Sequence, residues 1–355
     1  MTIVGPLPVK SSPYEMTINL NVLNHLGIGL YSNVPAVLSE IVANAWDADA
    51  DAVTIDIDKE KGEIVVYDTG VGMSEEDINE RYLNVGYRKR DEMPGKTPGN
   101  REPMGRKGIG KLSVFSIAKT VEVYSTKNGE RNAFRMNSDD IQKQIKSREN
   151  TGIYRPVPLN HDLIDFDKGT KIILRDLTKR LISAERFLRR RLARRFSIIG
   201  AKHNFAVILN DVPISAKDRG YYNKMEFIWH LGGLEHLEED FFEEREGRRG
   251  LRQNVRKHFE VSEVIDPALG WTATGWIGTI DEQKSIDEDN NTIAVLARGK
   301  LIHEDVLKDL KEGGVYSKYL VGEVHADFMD TNSRRLRRAF RCFLHSLGSS
   351  GYSCG

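Results

Sequence analysis

Two cysteines are all that the 355 residues contain. Cys342 and Cys354 both fall near the end, so the chain offers neither a disulfide framework nor a cysteine-based zinc spacing. Its nine histidines are scattered, and no pair has a zinc-like spacing with cysteine. No apolar run is long enough for a membrane-spanning helix, so no membrane partner is expected. The opening MTIVGPLPVK lacks the apolar core of a signal peptide and the arginines of a transit segment, which predicts a cytoplasmic protein. Net charge of one sign is absent as well: 52 Lys and Arg balance 52 Asp and Glu, so no overall field marks a nucleic-acid binder. What remains, 39% hydrophobic and 29% charged residues, is the composition of a globular protein long enough for two cores.

The most telling stretch is SEIVANAWDADAD. Val37, Leu38, Ile41, Val42 and Ala45 recur at helical spacing, with Pro35 just inside the start and Ser32 or Asn33 available as cap. On such a helix Glu40, Asn44 and Asp47 stand at i, i+4 and i+7 and share a face. Two carboxylates and an amide amid apolar positions are costly to bury unless they serve something. A hard cation shared with phosphates, magnesium above all, suits these oxygen ligands. The alternative is an ordinary polar face on a surface helix.

Three glycine-containing segments follow. EIVVYD reads as a strand ending at Asp68, and Gly70 and Gly72 then permit a tight reversal before Met73. Gly105-Arg106-Lys107-Gly108-Ile109-Gly110-Lys111 leads into the apolar LSVFSIA, whose helical length would place free N–H groups where phosphate binds. Gly169-Thr170 opens the strand-like KIILRDL. The second segment is not a Walker loop, because Leu112 stands where Ser or Thr is required and no strand precedes it. It is not a dinucleotide fingerprint either, since Ser113 takes the third glycine position.

In this order the four pieces, Glu40/Asn44/Asp47/Ala48, Asp68/Gly70/Gly72/Met73, Gly105/Gly108/Gly110 and Gly169/Thr170, resemble the GHKL ATPases. That family includes gyrase, the ninety-kilodalton heat-shock chaperone, histidine kinases and MutL. The resemblance implies a Bergerat ATP site in an α+β sandwich with a mixed sheet, and ATP and magnesium as cofactors. Glu40 would activate the attacking water, Asn44 would hold the metal, and Asp47 would support that helix face through water. Asp68 would take the adenine amine and Met73 would cover the ring. Gly105, Gly108, Ile109 and Gly110 would cradle phosphates, and Thr170 would touch adenine or its water. Ala48, Gly70, Gly72, Asn84, Lys107 and Lys111 complete the implied nucleotide contacts. Glu40, with no phosphoacceptor helix upstream, argues for hydrolysis.

Strands are predicted at 53–57, 63–67, 121–125, 133–136, 171–175 and 205–209, and helices at 35–48, 75–84, 110–118 and 183–198. Residues 1–217 form the expected ATPase domain, with the basic, glycine- and proline-containing segment at about 86–108 as a lid. A smaller α/β domain is expected at 218–345 and a flexible tail at 346–355. Strands 271–280 and 291–297, then Arg298-Gly299-Lys300, the helix-like HEDVLKDLKE and the strand-like YLVGEVHADFMD, resemble the transducer of gyrase, MutL and MORC proteins. That resemblance nominates Lys300 for the γ-phosphate, against a plain solvated turn lysine. The arginines at 186, 189, 190, 191, 194 and 195 ring an apolar helix stripe and read either as phosphate contacts or as a solvated, balanced face. Two functions stay open: a nucleotide-gated dimeric switch of MORC or MutL kind acting on DNA or a partner protein, and a chaperone-like ATPase that remodels clients.

Overall fold

The computed structural model describes residues 13–14, 16–17, 33–84, 95–105, 110–146, 153–178, 185–199, 203–281, 292–306 and 318–331. The chain forms two compact units, one from Met1–Ala184 with Asn204–Pro213, the other from Glu185–His203 with Ile214–Gly355. The predicted boundary near 217 is therefore displaced. The arginine-rich helix belongs to the second unit, and the strand after it returns to the first. Among the described residues no helix is long and apolar enough to cross a membrane. The expected tail, the helix-like 307–312 and both cysteines lie outside the described residues.

The first unit is built on an eight-stranded mixed sheet, the predicted α+β arrangement. Its strands are β1 (Ala52–Asp58), β2 (Glu63–Asp68), β3 (Ala118–Lys127), β4 (Glu130–Asn137), β5 (Val157–Pro158), β6 (Gly169–Leu177), β7 (Ala206–Leu209) and β8 (Val212–Pro213). They lie in the order β8-β7-β1-β2-β6-β3-β4-β5, with β1 and β7 parallel and the other pairs antiparallel. Register places successive side chains of one face in rows across β1-β2-β6-β3-β4. Ile55, Val66, Ile172, Val123 and Phe134 form one row, all buried. Two residues along each strand comes Val53, Asp68, Thr170, Ser125 and Asn132. The face is thus apolar until this row, where four buried polar residues follow one another.

Helix α1 (Val34–Asp47) is capped by Asn33, whose Oδ1 accepts the Ala36 N–H at 3.0 Å, and carries Pro35 in its first turn. Val37, Leu38, Ile41 and Val42 are buried, worth on the order of 1.5–3 kcal/mol each. The predicted helix at 75–84 is a single α-turn, Glu75–Asp77, closed by a Ser74/Asp77 capping box and continued as a π-turn over Ile78–Tyr82. The predicted helix at 110–118 is a 3₁₀ helix, Gly110–Ser116. Its exit is an i→i+3 bond from Ile117 N to Val114 O, and β3 begins at Ala118, which leaves no room for another α-turn.

The second unit holds a six-stranded sheet of β9 (Met225–Leu231), β10 (Lys257–Val261), β11 (Thr274–Ile280), β12 (Ile293–Ala297), β13 (Lys300–His303) and β14 (Leu320–His325). The order is β10-β9-β11-β14-β12-β13. Helix α2 (Glu185–Arg195) buries Leu188, Leu192 and Ala193. Arg219, 1% exposed, caps its last turn: Nε donates to Ala193 O and Nη2 to Phe196 O, both at 3.0 Å. The same guanidinium reaches Glu323 on β14 at 3.3 Å and Glu238, so one fork joins a helix end, a strand and a loop.

Candidate nucleotide site

Between Pro35 and Asp47 every position of α1 is buried except Glu40, which is half-buried, and Asn44, which is exposed. The predicted shared face is therefore opened at two places, one helical turn apart. Asp47 departs from its predicted role. It is buried, and its carboxylate accepts the backbone N–H of Met104 at 2.7 Å and of Gly105 at 2.9 Å, directly and not through water. A Cβ at Gly105 would lie 2.7 Å from Asp47 Oδ2, so a side chain there would displace this carboxylate.

That contact is one of several that fasten residues 95–105. Trp46 Nε1 donates to Glu102 O at 3.0 Å, and Asp49 Oδ2 accepts from Gly99 N at 2.9 Å. Arg101 donates to Ala50 O at 2.6 Å and stacks 4.4 Å over the Trp46 ring. These contacts fasten residues 95–105 of the predicted lid to the end of α1 and the turn after it. Residues 86–94 and the glycine-loop residues Lys107, Gly108 and Ile109 lie outside the described residues. The described backbone resumes at Gly110 and Lys111 as the 3₁₀ helix. Asn84 is exposed, just beyond the π-turn.

The end of α1 meets the turn after β2 through Ala48, whose carbonyl accepts the Val71 N–H at 2.9 Å. Glu40 and Asn44 therefore lie two turns and one turn back along the helix from this junction. The turn is closed by Asp68, whose Oδ1 accepts the Gly70 N–H at 2.8 Å. Gly72 has φ +69°, and a Cβ there would stand 1.9 Å from Thr126 O, so only glycine fits. Burial pushes the Asp68 carboxyl up to about 6; the backbone N–H groups of Gly70 and Thr170 and the charge of Lys168 pull the other way.

Two residues that sequence reasoning missed hold the next position. Met73 N–H donates to Ser125 Oγ at 2.9 Å, and Asn132 Nδ2 donates to Met73 O at 3.4 Å. Both backbone groups of Met73 are thus gripped from the polar row, where Thr170 and Ser125 hydroxyls are 3.1 Å apart. A signal for them exists in strand parity. Ser125 continues the inward series Val121, Val123, and Asn132 precedes Phe134 and Met136 on the same side.

Lys300 belongs to the second unit, where it opens β13 and bridges to Phe196. The arginines of α2 point largely to protein. Arg189 pairs with Asp218 at 3.2 Å, Arg191 with Glu304 at 2.5 Å, and Arg194 donates to Arg219 O at 2.8 Å. Arg191, Arg194 and Arg195 line an internal cleft with Tyr221, Glu304 and Glu323. Burial lowers the Arg194 guanidinium to about 10. These contacts supply the acidic neighbours of the balanced reading, but Arg189, Arg191, Arg194 and Arg195 are largely buried against protein and do not form the solvated face it expected.

Among the described residues no three metal-ligating side chains converge. The donor at the opening of α1, one amide oxygen with a carboxylate a turn away, fits a magnesium ion that keeps waters and phosphate oxygens rather than a caged metal. A buried acidic strand end beside a glycine turn, and a helix opened only at an acid and an amide, are the arrangement that the resemblance to GHKL ATPases implies.

Comparison with known proteins agrees. Residues 31–170 match the family model of histidine kinase-, DNA gyrase B- and HSP90-like ATPases, so the chain carries a GHKL ATPase domain, and ATP binding is the property this domain implies. A relative from Herpetosiphon aurantiacus, named "Putative type II restriction enzyme HgiDII", is 42% identical over 324 residues, covering 91% of this chain and 51% of that protein. The chaperone protein HtpG of Rickettsia canadensis is 29% identical over 178 residues, 43% of this chain and 26% of the chaperone. HtpG of a Sulfurovum species is 26% identical over 164 residues. The chain spans about half the length of the first relative and about a quarter of the chaperones.

Proposed function

We propose that the chain is a magnesium-dependent, ATP-hydrolysing switch of the MORC and MutL kind whose state is read by DNA or by a DNA-bound partner. The observation that carries the hydrolytic part is the opening of α1 at Glu40 and Asn44 alone, beside the Asp68 turn. In this reading Asp68 accepts the adenine amine and Met73 packs on the ring. Gly108, Ile109 and Gly110 offer N–H groups to phosphates, the Gly105 N–H being taken by Asp47, and Glu40 takes a proton from the water attacking the γ-phosphorus as the bond to the ADP oxygen breaks. Magnesium, when bound, neutralises phosphate charge, and Asn44 is the side chain that would hold it. Lys300 is retained as a candidate contact to the γ-phosphate, testable by Lys300→Ala.

The partner class rests on coverage. The restriction-enzyme relative matches 91% of this chain and hence both units, whereas the chaperone matches 43%, which favours DNA over a client protein. The experiment is a turnover assay with and without duplex DNA, alongside nucleotide binding. Glu40→Ala should bind ATP as the parent does yet lose at least a hundredfold in turnover, because the base acts on the transition state. Asn44→Ala should lose magnesium-dependent affinity. Parent-like turnover in Glu40→Ala would remove Glu40 from the chemistry.

A further inference from the structure

The polar row holds a hydroxyl pair whose protons can be assigned by counting. Ser125 is fully buried, while Asp68 and Thr170 keep 8% and 9% of their surface. Cross-strand register sets Asp68 opposite Thr170 and Thr170 opposite Ser125, on one face of three adjacent strands. Three groups contact Ser125 Oγ: Met73 N at 2.9 Å, Gly169 O at 3.1 Å and Thr170 Oγ1 at 3.1 Å. A serine hydroxyl has one proton and two lone pairs. Met73 N–H can only donate. Gly169 O can only accept, so it takes the serine proton. The contact with Thr170 is then a hydrogen bond only if threonine donates. Every donor and acceptor at Ser125 is satisfied in this arrangement and in no other, and an unmade buried bond is expensive. Thr170 has then spent its proton and presents lone pairs alone.

We propose that Ser125 is a specificity-determining residue: it fixes the Thr170 hydroxyl as an acceptor, so that the Asp68–Thr170 edge accepts hydrogen bonds only and takes a base carrying an amino group over one carrying a carbonyl. The inference rests on the nucleotide reading of the site and adds to it a cause for base selection that lies behind the residues touching the base. Without the serine, Thr170 regains a free proton, can turn it toward a carbonyl, and the edge loses its single polarity.

The test compares ATP with inosine triphosphate, which replaces the amine by a carbonyl, in calorimetry on the parent, Ser125→Ala, Ser125→Thr and Thr170→Val. The parent should favour ATP by tenfold or more. Ser125→Ala should reduce the ATP-to-inosine ratio by about tenfold, the size of one buried hydrogen bond made or opposed. Ser125→Thr, which keeps the hydroxyl, should restore the ratio. A purely structural serine would lower both affinities together and leave the ratio alone, which would overturn the proposal. Should Ser125→Ala not fold, Thr170→Val decides, because it removes the hydroxyl without touching Met73; an unchanged ratio there also overturns it. A parent that binds neither nucleotide fails the ATP-site reading itself, whereas a parent that binds both equally fails only the selectivity claim.

Discussion

At the residue scale the buried carboxyl of Asp68 is the group whose protonation matters most. Its pKa, raised from 3.8 to about 6 by burial, has two consequences of opposite sense. For the fold, the neutral form suits the buried position, so the stability it contributes is present below pH 3.8 and lost as pH rises through about 6. For ligand, the ionised form is the stronger acceptor for an amine and carries no competing O–H, so affinity should weaken as pH drops through about 6. Adenosine is the right probe because it has no phosphate to titrate. Its affinity should decline from pH 7 to pH 5 in the parent and stay level in Asp68→Asn. A flat parent profile over that range would contradict the assignment. The position of Asp68 was legible in the sequence because it ends an apolar strand and precedes two glycines. Ser125 and Asn132 carry only the parity signal, which is weak because single polar residues in strands usually face solvent; the register across four strands is what joins them into a continuous buried row.

At the scale of elements, α1 was legible almost to the residue, since its cap, its proline and its apolar spacing agree. The fastening of the strap at 95–105 was not legible because its anchors, Trp46, Asp47 and Asp49, are far away in sequence, and Asp47 was assigned to the polar face of the helix. Asp47 faces the strap, so its loss should be felt there first. Asp47→Ala orphans two backbone N–H groups and should cost about 3 kcal/mol in urea unfolding. It should also speed tryptic cutting after Arg101 in the absence of nucleotide. Unchanged cleavage together with unchanged stability would mean that the remaining contacts hold the strap alone. The 3₁₀ helix at Gly110–Ser116 was read as α because length and apolarity do not distinguish the two windings.

At the scale of the whole molecule, nucleotide-dependent association is the behaviour to measure. A switch of the proposed kind should be monomeric or weakly dimeric alone and should form a two-fold dimer with a non-hydrolysable ATP analogue. Light scattering at saturating analogue settles the matter, and a mass that stays monomeric would rule out a nucleotide-gated clamp. The division into units was the least legible feature. The basic helix reads as the end of the ATPase domain until Arg219 is seen to cap it from the second unit. The path of the chain has a bearing on ancestry. Residues 185–203 belong to one unit, 204–213 to the other, and the chain then crosses back, so no single cut separates them. A gene joined or split at one point anywhere in this stretch would strand either a helix without its arginine cap or a sheet without its β7–β8 edge. Recombination could trade these units only by two coordinated exchanges, and the ATPase and its companion should therefore be inherited as a pair.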